Sequence, residues 1–184
     1  MEVKGVTLKN QEKFVKEKFG EDGWEDLMEE FSEDTRELME DTVLKSSWYP
    51  FDSFSEITRK ICEEFYDGKP KDARELGRFH AEEVLSGIYR VWVKFTDPQG
   101  LADKSPMVLR KHYRPIEVEV VENVEGKARI RITELPVEDR YFEELVAGSM
   151  ERGPELVGAE NLEVEITSSI ASGDDYIEYL ATYD

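Results

Sequence analysis

The side chains in this sequence whose types could do chemistry are two histidines, one cysteine, a short basic island and a set of aromatics. His80 shares one helical face with Ala73, Leu76 and Val84. An imidazole on an apolar face can ligate a heme iron or line a pocket. More often such a residue is a buried histidine satisfied by hydrogen bonds, and that reading outweighs ligation here. His112 lies in Arg110-Lys111-His112-Tyr113-Arg114, which can receive an anion. The favoured role is stabilising the C-terminal end of a short helix. Cys62, His80 and His112 match no zinc-ligand spacing, and Cys62 borders an apolar stripe, so it reads as a core thiol. No Gly-x-Ser-x-Gly, Walker loop or dinucleotide fingerprint is present. Carboxylate pairs such as Glu29-Glu30 and Asp174-Asp175 are expected by chance among 43 acidic residues and read as solvated faces. That leaves binding rather than catalysis. Trp48, Tyr49, Phe51, Phe54, Phe79, Tyr89 and Trp92, together with His80, are the candidates to line an apolar pocket in the helical half. Each aromatic taken singly is equally at home in a core.

The elements must position these residues without help from cross-links. A chain of 184 residues buries enough surface to fold unaided, and the single cysteine excludes an internal disulfide and suits a reducing compartment. A formal net charge of −19 makes nucleic acid and anionic membrane surfaces poor partners. No stretch approaches the ~20 apolar residues of a membrane helix, and residues 1–10 carry no signal-type apolar run. The expectation is a cytoplasmic protein without membrane insertion, and the sequence leaves a homo-oligomer open.

Helical periodicity dominates the first two-thirds. Leu8, Phe14, Val15 and Phe19 form one face, ended by Gly20; Asp22 is placed to cap a second helix carrying Trp24, Leu27, Met28 and Phe31. A short helix is expected over 35–44, then a break at Trp48-Tyr49-Pro50-Phe51. Ser53 and Glu56 have capping-box spacing before Phe54, Ile57, Ile61 and Phe65. After the His80 helix, Ser86-Gly87 is a kink before Ile88, Tyr89, Trp92 and Phe95. Asp97-Pro98-Gln99-Gly100 reads as a turn, and Ser105-Pro106 as the start of a helix ending near Tyr113.

The period then becomes two. Ile116, Val118 and Val120 alternate with glutamates, as do Ile130 and Ile132 with arginines, around a three-residue loop at Val124-Glu125-Gly126. That register sets Val120 opposite Ile130 and Glu119 opposite Arg131. A helix over 138–152 ends at Gly153-Pro154, and strands at 162–166 and 176–182 follow. The expected fold is one α+β domain over 1–184: a helical part (1–114), then a C-terminal β-β-α-β-β antiparallel sheet (115–184).

The chain resembles the superfamily that joins heme nitric-oxide-binding (H-NOX) domains, vinyl-reductase-type domains and TRAPP tethering subunits. The nearest likeness is to a bacterial branch found among paralogous proteins of myxobacteria. The resemblance runs through MEVKGVTL at 1–8, FVKEKFGEDGW at 14–24, Trp48-Tyr49-Pro50, ARELG at 73–77, ELVAG at 144–148 and GDDY at 173–176. It implies an H-NOX-like fold with a ligand site between the helical layer and the sheet. Heme-binding members carry an axial histidine on a helix shortly before the strand that starts here at Ile116, and residues 96–101 contain none. Those members also carry a Tyr-x-Ser-x-Arg heme clasp on the second strand. The matching Arg129-Ile130-Arg131-Ile132-Thr133 lacks its Tyr and Ser, and the chain end lacks the cysteine of the vinyl-reductase type. The expectation is a non-catalytic ligand-sensing or protein-interaction domain without a cofactor, whose partner is an apolar small molecule or a protein. The alternative is a heme- or tetrapyrrole-binding gas sensor with His80 as axial ligand. A small enzyme is a third reading, with no motif behind it.

Overall fold

The computed structural model describes residues 1–87 and 89–184. Ile88, read above as continuing a helical stripe, lies outside the described residues. Strand β1 (Glu2–Lys4) leads into α1 (Gly5–Glu29), and α2 (Glu33–Glu40) and β2 (Trp48–Pro50) follow. The span α1 holds the two predicted helices, which meet at a kink where Gly20 leaves helical geometry with a φ of 88° that only glycine adopts without strain. The break in the helical pattern at Trp48 is present, and it takes the form of a strand. β2 pairs antiparallel with β1, and β1 pairs with β3 (Tyr113–Arg114), making a small sheet of order β2-β1-β3.

Helix α3 (Phe51–Phe65) begins before Ser53, so the expected capping box does not form. The Glu56 carboxylate instead accepts from the Ser32 amide (2.7 Å), the Ser32 hydroxyl (2.7 Å) and the Thr35 hydroxyl (2.6 Å), which fastens the start of α2 to α3. Helix α4 (Ala73–Ser86) is followed by the single turn α5 (Arg90–Val93) and by α6 (Pro98–His112).

The start of α6 is a second correction. Asp97 is its N-cap, accepting from the Gly100 amide at 2.7 Å, and Pro98 takes the first helical position. Pro106 therefore sits inside the helix, where it cannot donate to the Ala102 carbonyl. The Ser105 hydroxyl donates to that carbonyl instead, at 2.8 Å. The same dipeptide that reads as a helix start thus serves as an internal repair.

Strands β4 (Glu117–Val124) and β5 (Lys127–Thr133), helix α7 (Arg140–Glu155), and strands β6 (Glu163–Ser168) and β7 (Ile177–Thr182) complete the chain. The sheet order is β4-β5-β7-β6, all antiparallel, with α7 joining its two hairpins. Val120 faces Ile130, and Glu119 faces Arg131 with an ion pair at 3.3 Å on the exposed side. The hairpin closes through Glu125-Gly126, with Gly126 left-handed. Helix α7 continues through Gly153-Pro154 rather than stopping there.

Helix α7 crosses α4 closely, and two glycines of the resemblance motifs allow it. A Cβ on Gly77 would stand 1.9 Å from the Leu145 carbonyl oxygen, and one on Gly148 2.1 Å from that of Arg74. The core lies between these helices and the sheet, where Phe142, Leu145, Ile132, Ile177 and Tyr179 are buried.

Candidate functional site

Beside that core, α4, α6, α7 and one face of the sheet line a partly open apolar cavity of about 120 Å³. Helix α6 supplies Leu101, Ser105, Val108 and His112 at i, i+4, i+7 and i+11, one face of the helix. Helix α4 supplies His80, Ala81 and Val84, and the sheet floor is Ala128, Ile130 and Tyr179.

Two imidazoles converge here. His80 and His112 come from different helices, and their rings meet edge to face with centroids 5.6 Å apart. Both are buried. His80 Nδ1 lies 3.1 Å from the amide nitrogen of Asn10, itself buried on α1. His112 Nδ1 lies 2.8 Å from the Val108 carbonyl, one turn back on α6. Burial, reinforced by the neighbouring His112, pushes the His80 pKa down to about 3. Burial also lowers that of His112, against the Val108 hydrogen bond, which raises it, and with Lys111 and Lys4 adding to the lowering. Both rings are neutral near pH 7. The buried polar side-chain atoms without a partner among the described residues are Gln11 Oε1, Asn123 Oδ1 and Tyr183 Oη. Tyr183 lines the cavity, as do Ser105, Ser149, Tyr113 and Tyr179.

Of the eight residues chosen from the sequence, only His80 lines this cavity. Phe51 and Phe54 are core residues packed on each other, Phe51 also on Phe142 and Phe54 on Tyr113. Phe79 turns the other way, onto Phe14. Trp48 lies between Lys4 and Arg114, with both cations about 4 Å from its ring (4.1 and 4.2 Å). The Tyr49 hydroxyl accepts from the Leu44 amide at 2.8 Å. Tyr89 and Trp92 meet each other beyond the end of α4, and Lys111 reaches the Tyr89 hydroxyl. The aromatic break therefore does not border the cavity; its backbone is used as a sheet edge. His112 is the site residue that the sequence reading left out. Once Pro98 is taken as the helix start, its i+11 relation to Leu101 is the signal that finds it.

The position that the resemblance assigns to an axial histidine falls at the start of α6, where Leu101 and Ala102 face the cavity. On β5, Ala128 and Ile130 face it, while Arg129 and Arg131 turn to the opposite side and bind Glu178 at 2.5 and 2.9 Å. Cys62 is buried on α3 and its thiol pKa is pushed up to about 12. Among the described residues no group of three or more His, Cys, Asp or Glu is placed to hold a metal ion, and no helix is long and apolar enough to cross a membrane.

No family model and no curated protein matches the chain. Solved structures do match. An H-NOX protein from S. oneidensis in the Fe(II)NO ligation state superposes with a TM-score of 0.77 at 14% identity, covering 98% of this chain and 99% of that one. The Fe(II)CO form of the H-NOX domain from Shewanella oneidensis gives 0.76 at 14%, covering 98% of each. The Fe(II) unliganded H-NOX protein from K. algicida gives 0.70 at 11%, covering 98% and 96%. The chain has the H-NOX fold. The expectation of no cofactor is corrected by the same matches. The three matched H-NOX structures above are described in Fe(II) states, and another matching structure is described in terms of heme redox potential and porphyrin distortion.

Proposed function

We propose that the cavity between α4, α6 and the sheet binds a tetrapyrrole, heme first among them, and that the domain is a non-catalytic sensor module. The observation that carries this is the meeting of two neutral imidazoles in one apolar cavity. The H-NOX proteins of the same fold in Fe(II)NO and Fe(II)CO states support it.

The donor set fits the group. An imidazole is a common heme-iron ligand, and apolar walls suit a macrocycle. His80 or His112 would hold the iron, and Leu101, Ala102 and Ile130 would pack on the ring. Bound there, an iron tetrapyrrole supplies a coordination position for a diatomic gas. As it stands the cavity, at about 120 Å³, is below the ~300–1,000 Å³ of pockets for drug-sized ligands, so its volume does not accommodate a macrocycle.

A second reading is favoured by the volume itself. An apolar cavity of this order accepts a molecule the size of benzene, so a small apolar molecule is the other candidate occupant.

Titrating the ligand-free protein with hemin, and separately with benzene, separates the two. A Soret band saturating at one hemin per chain is the expected result. A flat visible spectrum with hemin, together with benzene-dependent NMR shifts at Ala102 and Ile130, would overturn the tetrapyrrole reading in favour of the second.

A further inference from the structure

We infer that the cavity is a site for a small neutral molecule of about benzene size that carries one hydroxyl, a phenol or a compact alcohol, and that His112 Nε2 accepts the hydrogen bond from that hydroxyl. This deepens the second reading above, a small apolar occupant, and rests on it.

The ligand class follows from the hydrogen bonds that the polar groups around the cavity already make. Ser105 and Ser149 donate their hydroxyl protons to the Ala102 and Gly77 carbonyls at 2.8 and 2.9 Å. Tyr179 donates to the Glu143 carbonyl at 3.1 Å. His112 differs from these. Its Nδ1 lies 2.8 Å from the Val108 carbonyl, and a carbonyl only accepts, so Nδ1 carries the proton. In the neutral ring Nε2 then carries a bare lone pair. Among the described residues no protein donor reaches that atom, and it is not one of the partnerless atoms closed off from solvent, so open space adjoins it. His112 is only 8% exposed and lines the cavity. Its lone pair stays unmatched inside the protein until an occupant donates to it.

His80 carries no such constraint. Asn10 presents its side-chain amide 3.1 Å away, and an amide can turn either its oxygen or its nitrogen to the ring. Tyr113 also lines the cavity, and a phenolic hydroxyl both donates and accepts. The one fixed requirement is therefore a donor on the ligand, and His112 sets it.

The rest of the wall sets the body of the ligand. Val84, Leu101, Ala102, Ala128 and Ile130 are apolar, so a charged donor such as an ammonium would shed its hydration against aliphatic groups. A neutral hydroxyl avoids that cost. In a purely apolar cavity the hydroxyl of phenol would lose its bond to water without replacement; here His112 Nε2 replaces it. The volume of about 120 Å³ sets the size, because a cavity of this order holds one benzene ring.

Titrating the ligand-free protein with benzene and with phenol, followed by NMR shifts at Ala102 and Ile130, tests the inference. Wild type should bind both probes. In His112→Leu the ratio of the phenol to the benzene dissociation constant should rise by about fivefold or more. Taking the ratio cancels any change of cavity volume felt equally by the two probes. Long-range ¹H–¹⁵N NMR on wild type gives a readout that needs no variant. Ligand-free His112 should show Nδ1–H and an unprotonated Nε2, and phenol, unlike benzene, should shift Nε2 in the direction of hydrogen bonding. If benzene binds, three results would each overturn the inference and leave the small-molecule reading standing: a proton on Nε2 in the ligand-free protein, an Nε2 resonance that phenol leaves in place, or an unchanged ratio in His112→Leu. A wild-type protein that binds neither probe overturns the small-molecule reading and the inference with it.

Discussion

At the scale of single residues, the cavity histidines make a pH signature. Both have folded-state pKa values below the ordinary 6.5, because burial opposes their charged forms and His112 further opposes charge on His80. The unfolded chain therefore binds more protons than the folded one below that pH, and stability falls as pH falls through the window from 6.5 toward 3. Between about pH 6.5 and about 5.5 the histidines act before most carboxylates begin to. Each one that stays neutral contributes a slope of about 1.4 kcal/mol per pH unit. Urea unfolding across that window should show the slope, and His80→Gln should flatten it; a wild-type protein equally stable at both ends would contradict the buried, neutral assignment. Trp48 is the contrasting case. It lies over the β1–β3 edge between Lys4 and Arg114, only half-buried. Trp48→Ala should cost about 1–2 kcal/mol, the scale of cation–π contacts, rather than the ~3–5 kcal/mol of a core truncation. It should leave hemin or benzene binding unchanged. These aromatics are legible in the sequence as large apolar groups, but their directions are not. Phe79 and His80 are neighbours on one helix, and one packs on Phe14 while the other lines the cavity.

Among the elements, the α4–α7 crossing sets the cavity's shape, because it fixes where His80 stands relative to the sheet floor. The clearance at Gly77 leaves no room for a methyl group against backbone atoms of α7. Gly77→Ala should force the helices apart and destabilise by about 3 kcal/mol, the upper range for overpacking, measured as a shift of the urea midpoint. Gain of helix propensity from the same change is at most ~1 kcal/mol, so net stabilisation would show that the crossing is not this tight. Element reading from the sequence succeeded where the determinants are local. The pairing of Val120 with Ile130 and of Glu119 with Arg131 follows from alternation plus charge pairing carried by the facing strands; the expected three-residue loop is instead a two-residue turn, with a register irregularity at Val121 making up the difference. It failed where an element is too short to show a period. β1, β2 and β3 have two or three residues each, and nothing in such a stretch distinguishes a strand from a break before tertiary partners exist. The α6 start was misread for another reason. Asp97-Pro98 and Ser105-Pro106 carry the same start signal, and the choice between them depends on whether Ala102's carbonyl finds a substitute donor.

For the molecule as a whole, the net charge of −19 is spread over a fold held by many ion pairs across its elements, such as Arg74 with Glu144 and Glu151 and Arg78 with Glu155. Excess like charge opposes the compact state, and salt screens it within about 8–10 Å at physiological strength. The melting temperature should therefore rise when NaCl is raised from about 10 mM to about 150 mM; a fall would mean that the ion pairs outweigh the repulsion. The sequence by itself determined the fold class, the strand register and the absence of a nucleophile or phosphate-binding motif, because periodicity, charge and turn chemistry act over short stretches of chain. Only the tertiary structure decided which side chains share the cavity. His80 and His112 lie far apart in the chain on separate helices, and their meeting depends on where α6 begins, on two glycines that let α4 approach α7, and on the hydrogen bonds with Asn10 and to Val108 that orient the rings. Those are long-range packing facts, and no local pattern encodes them.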